Sequence, residues 1–227
     1  AKQTGRPAYD LAGLGKPEPL IASYTISLDT PSIMAEAARQ VAERPLLKIK
    51  LGKDGDVERI RAVRNAAPKS RLIVDANEGW TAENFFENIK ACRDCGVEIV
   101  EQPLPADGDA ALASIPHIVP ICADESVFGR ESLKALKGKY DAVNIKLDKT
   151  GGLTEALATV AQARQMGFRL MVGCMVSTSL SVAPAFLVAQ QAKFVDLDGP
   201  LLLAKDRENG LRYADGLIYP PSSALWG

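Results

Sequence analysis

The sequence predicts an α/β protein of the (β/α)8 TIM-barrel type. Short apolar runs with the length of strands alternate with longer segments of helical periodicity, and the connections between them are short. Such alternation implies right-handed crossovers and a parallel sheet, and eight repeats close most economically into a barrel. A doubly wound open sheet is the alternative architecture with the same order of elements.

Eight segments have the length, apolar content and flanking turn residues of strands. They span residues 20–28, 46–52, 71–77, 99–103, 118–126, 142–147, 169–176 and 194–198. Helices are predicted after the first seven strands, near residues 31–43, 54–67, 82–95, 109–114, 131–137, 153–166 and 180–191. Asp29 and Thr30 before Pro31 mark the first helix, because Asp or Thr suits the N-cap and proline suits the first turn.

The two ends of the chain fall outside this repeat. Residues 1–19 are rich in glycine and proline, and we interpret them as a linker or the remnant of an N-terminal domain. Residues 20–206 form the predicted barrel. Residues 207–227 contain two short runs beginning at glycines, which predict a C-terminal hairpin and tail.

The composition indicates one large core and a small-molecule partner. At 227 residues and 47% hydrophobic content, the chain can bury the core of a barrel. The balance of 27 basic against 28 acidic side chains offers no basic surface for nucleic acid or for a membrane. We therefore expect a small-molecule substrate, and a homo-oligomer is compatible with the same composition.

The cysteines and the distribution of apolar residues favour the cytoplasm. Cys92, Cys95, Cys122 and Cys174 lie in apolar or helical surroundings without a second metal-type pair, which is typical of thiols in a reducing compartment. The sequence contains no apolar run of about 18 residues and no signal peptide. We therefore expect a cytoplasmic protein.

Polar residues end the predicted strands, where the active site of a parallel barrel lies. Four strands carry two of them at positions i and i+2, which places both side chains on one face, and in a barrel that face points inward. Taken alone, Lys48 and Lys50 suit the solvated face of an antiparallel sheet. The repetition favours the inward interpretation, and buried charges must then be paired or bind a metal. The set is Lys48, Lys50, Asp75, Asn77, Glu101, Asp124, Asn144, Lys146, Asp196 and Asp198.

Three of these acids have the spacing of consecutive strands. Asp75 and Glu101 are 26 residues apart, and Glu101 and Asp124 are 23 residues apart. Converging carboxylates without histidine or cysteine favour a hard divalent cation, and Mg²⁺ keeps positions open for substrate oxygens. Lys50 precedes the acids by 25 residues and Lys146 follows them by 22, so the predicted site lies between two ammonium groups.

Six motifs, in order and at the spacing of barrel units, carry a resemblance to a known family. They are Lys48-Ile-Lys50, Val74-Asp75-Ala-Asn77, Val100-Glu101-Gln-Pro103, Ala123-Asp124-Glu-Ser126, Asn144-Ile-Lys146-Leu-Asp-Lys-Thr-Gly-Gly152 and Asp196-Leu-Asp198-Gly-Pro200. Together they resemble the enolase superfamily, and within it the muconate-lactonizing subgroup and most closely the L-Ala-D/L-Glu dipeptide epimerases. The likeness covers about residues 20–200.

The resemblance implies a Mg²⁺-dependent epimerase with the modified barrel of that superfamily. One Mg²⁺ would be held by the three acids named above. Lys50 and Lys146 would remove and return the substrate α-proton from opposite faces, and Lys48 would donate to the carboxylate oxygen that becomes the enolate. A lysine base working with Mg²⁺ is the general arrangement of enolase-superfamily sites, so this pairing comes with the resemblance. The base must be neutral, and a neighbouring ammonium and a dication both lower its pKa.

The same resemblance assigns contacts with the substrate. Asp196 and Asp198 would bind the α-ammonium of a dipeptide, although turn-forming aspartates before Gly199-Pro200 are the alternative interpretation. Thr25 would contact the substrate or be merely a polar residue of the barrel. The only histidine, His117, precedes the fifth predicted strand and so lies at the opposite rim. This position excludes a histidine base of the mandelate racemase type.

Two neighbouring charges are left out of the predicted site. Glu125 alternates with inward residues, so we interpret it as outward or supporting, and Lys149 falls in the loop after the sixth predicted strand.

Other reactions would use the same site. They are those of another dipeptide epimerase, a muconate cycloisomerase or an o-succinylbenzoate synthase, and a non-catalytic metal-binding barrel is a further alternative. Asp196 and Asp198 argue against the second and third reactions, whose substrates carry no ammonium. The inward lysines argue against a mere scaffold. The leading hypothesis is epimerisation of L-Ala-D/L-Glu in murein peptide metabolism.

Members of the resembled family begin with an α+β capping domain that closes over the barrel mouth, and nothing in this sequence matches it. We therefore expect residues 1–227 alone to bind the metal but to turn over substrate poorly. The measurement is the epimerisation rate of the isolated chain, and full activity from these residues would contradict the expectation.

Overall fold

The computed structural model describes residues 1–52 and 54–226, so that Lys53 and Gly227, the last residue of the predicted tail, lie outside the described residues. Within these ranges, eight parallel strands form one sheet in which each strand pairs with the next along the chain. They are β2 (Tyr24–Ile26), β3 (Leu46–Lys50), β4 (Arg71–Asp75), β5 (Val97–Glu101), β6 (Ile121–Ala123), β7 (Ala142–Lys146), β8 (Arg169–Gly173) and β9 (Phe194–Asp196).

The prediction of a (β/α)8 barrel is confirmed. Between β2 and β9, the backbone N–H of Ser23 donates to the carbonyl of Val195 at 2.8 Å, which joins the two ends of the sheet. The Ser23 hydroxyl also donates to Asp196 Oδ1 at 2.6 Å, and the N–H of Thr25 donates to Asp198 Oδ2 at 2.8 Å. Closure removes the exposed edges that an open sheet would leave.

The first predicted strand, residues 20–28, is divided between two sheets. Its beginning, β1 (Leu20–Ile21), pairs antiparallel with β11 (Leu217–Ile218), which in turn pairs with β10 (Tyr213–Ala214). The N–H of Ala22 donates to the carbonyl of Gly216, so the chain remains tied to this small sheet until it enters the barrel. Nothing in the sequence of residues 20–28 marks this break.

Helices and helical turns connect the strands, and two of them are shorter than the sequence predicts. The connection over 109–114 is a 3₁₀ turn, and the helix predicted over 131–137 spans four residues before Gly138, which has a φ of 86°. The α-helices are α1 (Ala8–Leu11), α2 (Pro31–Gln40), α3 (Asp56–Ala66), α4 (Ala82–Asp94), α5 (Leu133–Leu136), α6 (Leu147–Thr150), α7 (Leu153–Gln165), α8 (Ser179–Ala189) and α9 (Ser223–Trp226), and the 3₁₀ turns are Asp109–Ala113 and Gly199–Leu202. None of the helices in the described residues is both long and apolar enough to cross a membrane.

The predicted start of α2 is confirmed by its hydrogen bonds. Thr30 is the N-cap, its side chain accepts from the N–H of Ile33, and Pro31 occupies the first turn. A threonine cap of this kind satisfies one of the amide groups that a helix leaves unpaired at its start.

An apolar layer fills the lower part of the barrel interior. Its side chains are at most 1% exposed, and they are Leu46, Ile73, Ile99, Cys122, Ala142, Met171 and Phe194. Because side chains alternate along a strand, the inward position two residues further on belongs to the next layer. That layer is polar, and it contains Lys48, Asp75, Glu101, Asp124, Asn144 and Asp196. The charged groups therefore lie directly above a buried apolar layer, near the carboxyl ends of the strands.

His117 lies at the amino ends of the strands, on the rim opposite the polar layer. Its Nδ1 is 2.8 Å from Asp141 Oδ2 and its Nε2 is 3.0 Å from the carbonyl of Leu112. Both partners can only accept, so the ring satisfies both when each nitrogen carries a hydrogen. The hydrogen bond with Asp141 accordingly raises the pKa of His117. The histidine therefore has a structural role at this rim.

We expect His117→Ala to destabilise the fold more at pH 5.5 than at pH 9. A raised folded-state pKa gives stabilisation that is complete below the unfolded value of about 6.5 and is lost as the pH rises through the folded value. At pH 5.5 the loss should be roughly 1 kcal/mol, as for a charge-assisted hydrogen bond partly screened by solvent. Urea unfolding of parent and variant at both pH values measures it. An equal loss at the two pH values would contradict a charged ring.

Candidate active site

Lys48 is the centre of the polar layer. Its side chain is 2% exposed, and Nζ donates to Asp196 Oδ2 at 2.6 Å. The same nitrogen lies 2.7 Å from Glu101 Oε2 and 3.0 Å from Asp75 Oδ2. One ammonium group thus meets three carboxylates, which come from three different strands. Such pairing is what allows a lysine to remain charged in a buried position.

Lys50, two residues further along β3, lies nearer the solvent. Its Nζ donates to Asp75 Oδ2 at 2.6 Å and to Asn77 Oδ1 at 2.9 Å, and about a third of its side chain is exposed. Asn77 Nδ2 donates in turn to Glu125 Oε1 at 3.3 Å. Lys48 and Lys50 therefore share one oxygen of Asp75.

Two lysines hold Asp124. Lys146 Nζ donates to Asp124 Oδ2 at 2.5 Å, and Lys149 Nζ donates to Asp124 Oδ1 at 2.6 Å. Lys149 also donates to the backbone carbonyls of Asp124 and Asn144, so it ties the carboxyl ends of β6 and β7 together. The sequence interpretation of Lys149 as a loop residue missed this contact. The helical turn α6 places Lys149 beside Lys146, and a turn of four residues gives no reliable signal in a sequence.

The three acids that the sequence singled out come together as expected from the register of the sheet. Asp75 and Glu101 are paired residues of β4 and β5, and Glu101 is paired with Cys122, two residues before Asp124. Each of the three is at most 3% exposed. Asn144 Nδ2 donates to Glu101 Oε1 at 2.6 Å, which adds a fourth strand to the cluster.

Burial and charge act on the acids in opposite directions. Burial, followed by the neighbouring carboxylate of Asp75, raises the pKa of Glu101 to about 8. Burial would also raise the pKa of Asp124, but Lys149 and Lys146 outweigh it and hold that pKa well below its ordinary value. Lys48 and Lys50 likewise overcome burial and lower the pKa of Asp75. Glu101 is therefore the acid whose charge is least compensated by the lysines.

The buried carboxylates raise the pKa values of the lysines that contact them. Burial alone would lower the pKa of Lys48, but the carboxylates of Asp196, Asp75 and Glu101 raise it well above its ordinary value. Asp124 and Glu101 raise the pKa of Lys146 in the same way, against the effect of burial. Both side chains are therefore ammonium groups in the arrangement that the structure shows.

Asp196 and Asp198 have structural partners on β2 as well as a place in the cavity. The oxygens of Asp196 accept from Ser23 and Lys48, and one oxygen of Asp198 accepts from the N–H of Thr25. Burial, followed by Asp196, raises the pKa of Asp198 to about 6. Among the described residues, Asp198 is thus a buried carboxyl to which no lysine donates.

The polar layer opens into a cavity of about 310 Å³ at the carboxyl ends of the strands. Most of the predicted site residues line it, whereas Asp75, Glu101 and Asn144 are not part of its lining. Glu125 and Lys149 also line the cavity, although the sequence had left both out of the site. The lining is Thr25, Lys48, Lys50, Asn77, Asp124, Glu125, Lys146, Lys149, Cys174, Met175, Val176, Asp196, Asp198, Gly199 and Leu202.

The donor set suits a hard divalent cation. Asp75, Glu101 and Asp124 offer carboxylate oxygens from three adjacent strands, with no histidine or cysteine ligand between them. Asn144 Oδ1 has no hydrogen-bond partner among the described residues, and Glu101 Oε2 meets only the ammonium of Lys48. In the part of the chain that is described, no three such groups are already spaced as ligands of one ion. The ammonium group of Lys48 lies between Asp75 and Glu101. A bound cation would therefore replace part of the positive charge with which the lysines now neutralise the acids.

The loop after β3, which follows Lys50, crosses the loop after β4 with no space between the two backbones. A Cβ atom on Gly79 would lie 2.3 Å from the Cα of Gly52, so neither position has room for a larger residue. Asp56 fastens the crossing, because its Oδ2 accepts from the N–H of Gly52 at 2.8 Å and from Trp80 Nε1 at 2.9 Å. Lys50 is therefore carried on a rigid support.

The chain is similar to known proteins over most of its length. Residues 33–224 match the family described as enolase C-terminal domain-like. The N-acetyl-D-glutamate racemase of Pseudoalteromonas sp. is 48% identical, and the match covers all of this chain and 72% of that protein. The L-Ala-D/L-Glu epimerase of Escherichia coli is also 48% identical, over 96% of this chain and 69% of that protein.

Solved structures agree in fold over nearly the whole chain. An enolase family member from Agrobacterium tumefaciens with homology to dipeptide epimerases, solved with sodium and L-Ala-L-Glu, is 54% identical with a TM-score of 0.96. That match covers all of this chain and 69% of the other. A dipeptide epimerase from Cytophaga hutchinsonii, complexed with Mg and D-Ala-L-Val, is 32% identical with a TM-score of 0.90, covering 96% of this chain and 63% of the other.

Proposed function

The chain belongs to the enolase C-terminal domain-like family, and we propose that it is a Mg²⁺-dependent isomerase that epimerises the glutamate α-carbon of L-Ala-D/L-Glu. One observation carries the proposal. Lys50 and Lys146 lie on β3 and β7, four strands apart in a barrel of eight, and each contacts one of the acids of a buried carboxylate cluster. Two lysines on opposite sides of one cavity are what inversion at a carbon atom requires.

Asp75, Glu101 and Asp124 would hold the Mg²⁺. When bound, the ion would stabilise the additional negative charge that a substrate carboxylate acquires as the α-proton leaves. The fit rests on the oxygen-only donor set and on Glu101, the one acid of the three whose pKa is raised, although Lys48 lies 2.7 Å from its Oε2. Mg-bound and sodium-bound relatives support the same proposal.

The chain's own residues would move the proton. The neutral form of one lysine takes the α-proton, so that a C–H bond breaks and an ammonium forms at its Nζ. The ammonium of the other lysine then gives a proton to the opposite face of the same carbon, which inverts the centre. Lys48 would donate a hydrogen bond to the substrate carboxylate oxygen on which charge accumulates. Its ammonium group already contacts three carboxylates of the protein at that position.

Asp198 and Asp196 would select a substrate with an ammonium group. Asp198 is 5% exposed, lines the cavity and has no lysine partner in residues 1–52 and 54–226, so a cation there would relieve a buried charge. Muconate cycloisomerase and o-succinylbenzoate synthase substrates carry no ammonium. A non-catalytic barrel would have no need for lysines that face one another across a cavity. We therefore place the reaction among dipeptides, with murein peptides as their source and a capping domain reading their distal end.

N-acetylglutamate racemisation is the second candidate, because a relative with that activity is as similar as the dipeptide epimerase. The two substrates share a glutamate whose nitrogen is acylated and whose α-proton is adjacent to a carboxylate. They differ at the group that Asp198 would meet, since the acetyl group lacks the ammonium of alanine. The pair of substrates thus tests the role of that aspartate directly.

Incubation in D₂O tests the reaction itself. With Mg²⁺ and L-Ala-L-Glu, we expect the glutamate α-proton signal to disappear from the NMR spectrum while the second diastereomer appears. The protein should be used as its gene encodes it, with any sequence that flanks residues 1–227. If neither exchange nor a new diastereomer is seen, and N-acetylglutamate is also unchanged, the proposed function is wrong.

Variants of the two bases test the assignment of faces. Lys50→Ala and Lys146→Ala should each abolish epimerisation, a loss of at least about 10²-fold for a missing acid or base. Each variant is to be assayed separately with L-Ala-L-Glu and L-Ala-D-Glu, since exchange of one diastereomer can survive the loss of one lysine. Interconversion of the two epimers by both variants would contradict the two-base mechanism.

Asp198→Asn should distinguish the two substrates. We expect kcat/KM for L-Ala-L-Glu to fall about tenfold to a hundredfold, the range for a lost charge-assisted hydrogen bond of 1.5–3 kcal/mol. Activity on N-acetyl-D-glutamate should change much less, because that substrate brings no cation to the aspartate. Equal losses on both substrates would show that Asp198 acts through the β2 contact with Thr25 instead.

A further inference from the structure

We infer that Gln102 is a positioning residue that fixes Asp124 relative to Glu101, and this inference rests on the proposed function. Gln102 follows Glu101 at the end of β5 and is 0% exposed. Its Oε1 accepts from the backbone N–H of Asp124 at 2.8 Å and from that of Ser126 at 3.2 Å. The side-chain amide of Gln102 therefore holds the backbone at Asp124, the acid at the end of the next strand.

The orientation of this amide is determined by its partners. The two groups facing Oε1 are backbone N–H groups, which can only donate. The carbonyl of Leu104, 2.9 Å from Nε2, can only accept. Oxygen and nitrogen of Gln102 thus cannot exchange places without leaving buried groups unpaired, which is costly in a dry environment.

A buried carboxylate behind the amide fixes the remaining hydrogen bonds. Gln102 Nε2 donates to Ser126 Oγ and to the hydroxyl of Tyr140, each at 2.9 Å. Both hydroxyls donate to Asp109 Oδ2, at 2.9 and 2.8 Å, so their oxygens are left to accept from the amide. Lys139 balances the charge of Asp109 through a contact of 2.5 Å with Oδ1. Counting the carbonyl of Leu104, Nε2 has three acceptors for its two hydrogens, so it remains on the side of the acceptors and Oε1 on the side of the two backbone N–H groups.

The backbone of Gln102 adds links to both neighbouring strands. Its N–H donates to the carbonyl of Cys122 on β6, and its carbonyl accepts from the N–H of Glu78 in the loop after β4, each at 2.8 Å. The φ of Gln102 is 34°, in the left-handed region that side chains other than glycine disfavour. The chain accepts this conformation at the point where the three acid-bearing strands are connected. The residue thus acts on the metal ligands through their backbone and does not touch substrate.

The test compares two substitutions of nearly equal size. Gln102→Glu keeps an oxygen that can accept from Asp124 and Ser126 but loses the amide donors, whereas Gln102→Met loses the acceptor as well. His117→Ala serves as the control for lowered stability at the opposite rim of the barrel. The measurement is the Mg²⁺ dissociation constant by calorimetry on the metal-free protein as its gene encodes it, with a melting curve for each variant.

We expect Gln102→Met to weaken Mg²⁺ binding about 10- to 100-fold, the usual effect of removing a partner that orients metal ligands. Gln102→Glu and His117→Ala should keep the parent affinity within about threefold, a difference below 1 kcal/mol, although both melt at lower temperature. Parent-like affinity in Gln102→Met would overturn the inference. An equal loss in Gln102→Glu would do the same, because the acceptor would then be irrelevant. A parent that binds no Mg²⁺ would contradict the proposed function instead.

Discussion

Charge burial at the barrel mouth is the constraint on which the rest of the structure depends. Side-chain alternation places a charged layer directly above an apolar one, so Lys48, Asp75, Glu101 and Asp124 are nearly inaccessible to water. Each of them is stable there only because a group of opposite charge comes from another strand. The barrel closure supplies these partners, and even the junction of β2 with β9 uses Asp196, a member of the same layer. Fold and site are therefore held by the same contacts.

The parts of the site that follow from strand periodicity could be predicted from the sequence. Whether a side chain points inward depends only on its position in a strand. Strand-end pairs such as Lys48 and Lys50 can therefore be recognised by their separation of two residues. Contacts made by turns could not be predicted in this way. Lys149 reaches Asp124 from a single helical turn, and Gln102 depends on an unusual φ. The break between Leu20–Ile21 and the barrel was hidden for a similar reason, because a backbone contact with a distant loop decides it.

Under the proposed function the lysines would have two tasks, and one arrangement would serve both. As ammonium groups they neutralise buried carboxylates that would otherwise be unpaired. The pKa of Lys146 is raised because of this pairing. A dication bound by the same carboxylates would take over this compensation and leave the lysines available for proton transfer. Glu101, with its pKa raised to about 8, marks the place where positive charge is most lacking. Behind the site, Asp56 and Gln102 accept hydrogen bonds from the backbone of Gly52 and Asp124, and these contacts would keep the acids and lysines in place.

The central claim is that the buried acids form a site for a divalent cation, and the melting temperature tests it most directly. A ligand that binds only the folded state raises stability in proportion to the logarithm of its concentration. We predict that millimolar MgCl₂ raises the melting temperature of the parent chain by several degrees, relative to NaCl of equal ionic strength, and leaves that of Asp124→Asn unchanged. No increase in the parent, or an equal increase in the variant, would contradict the account.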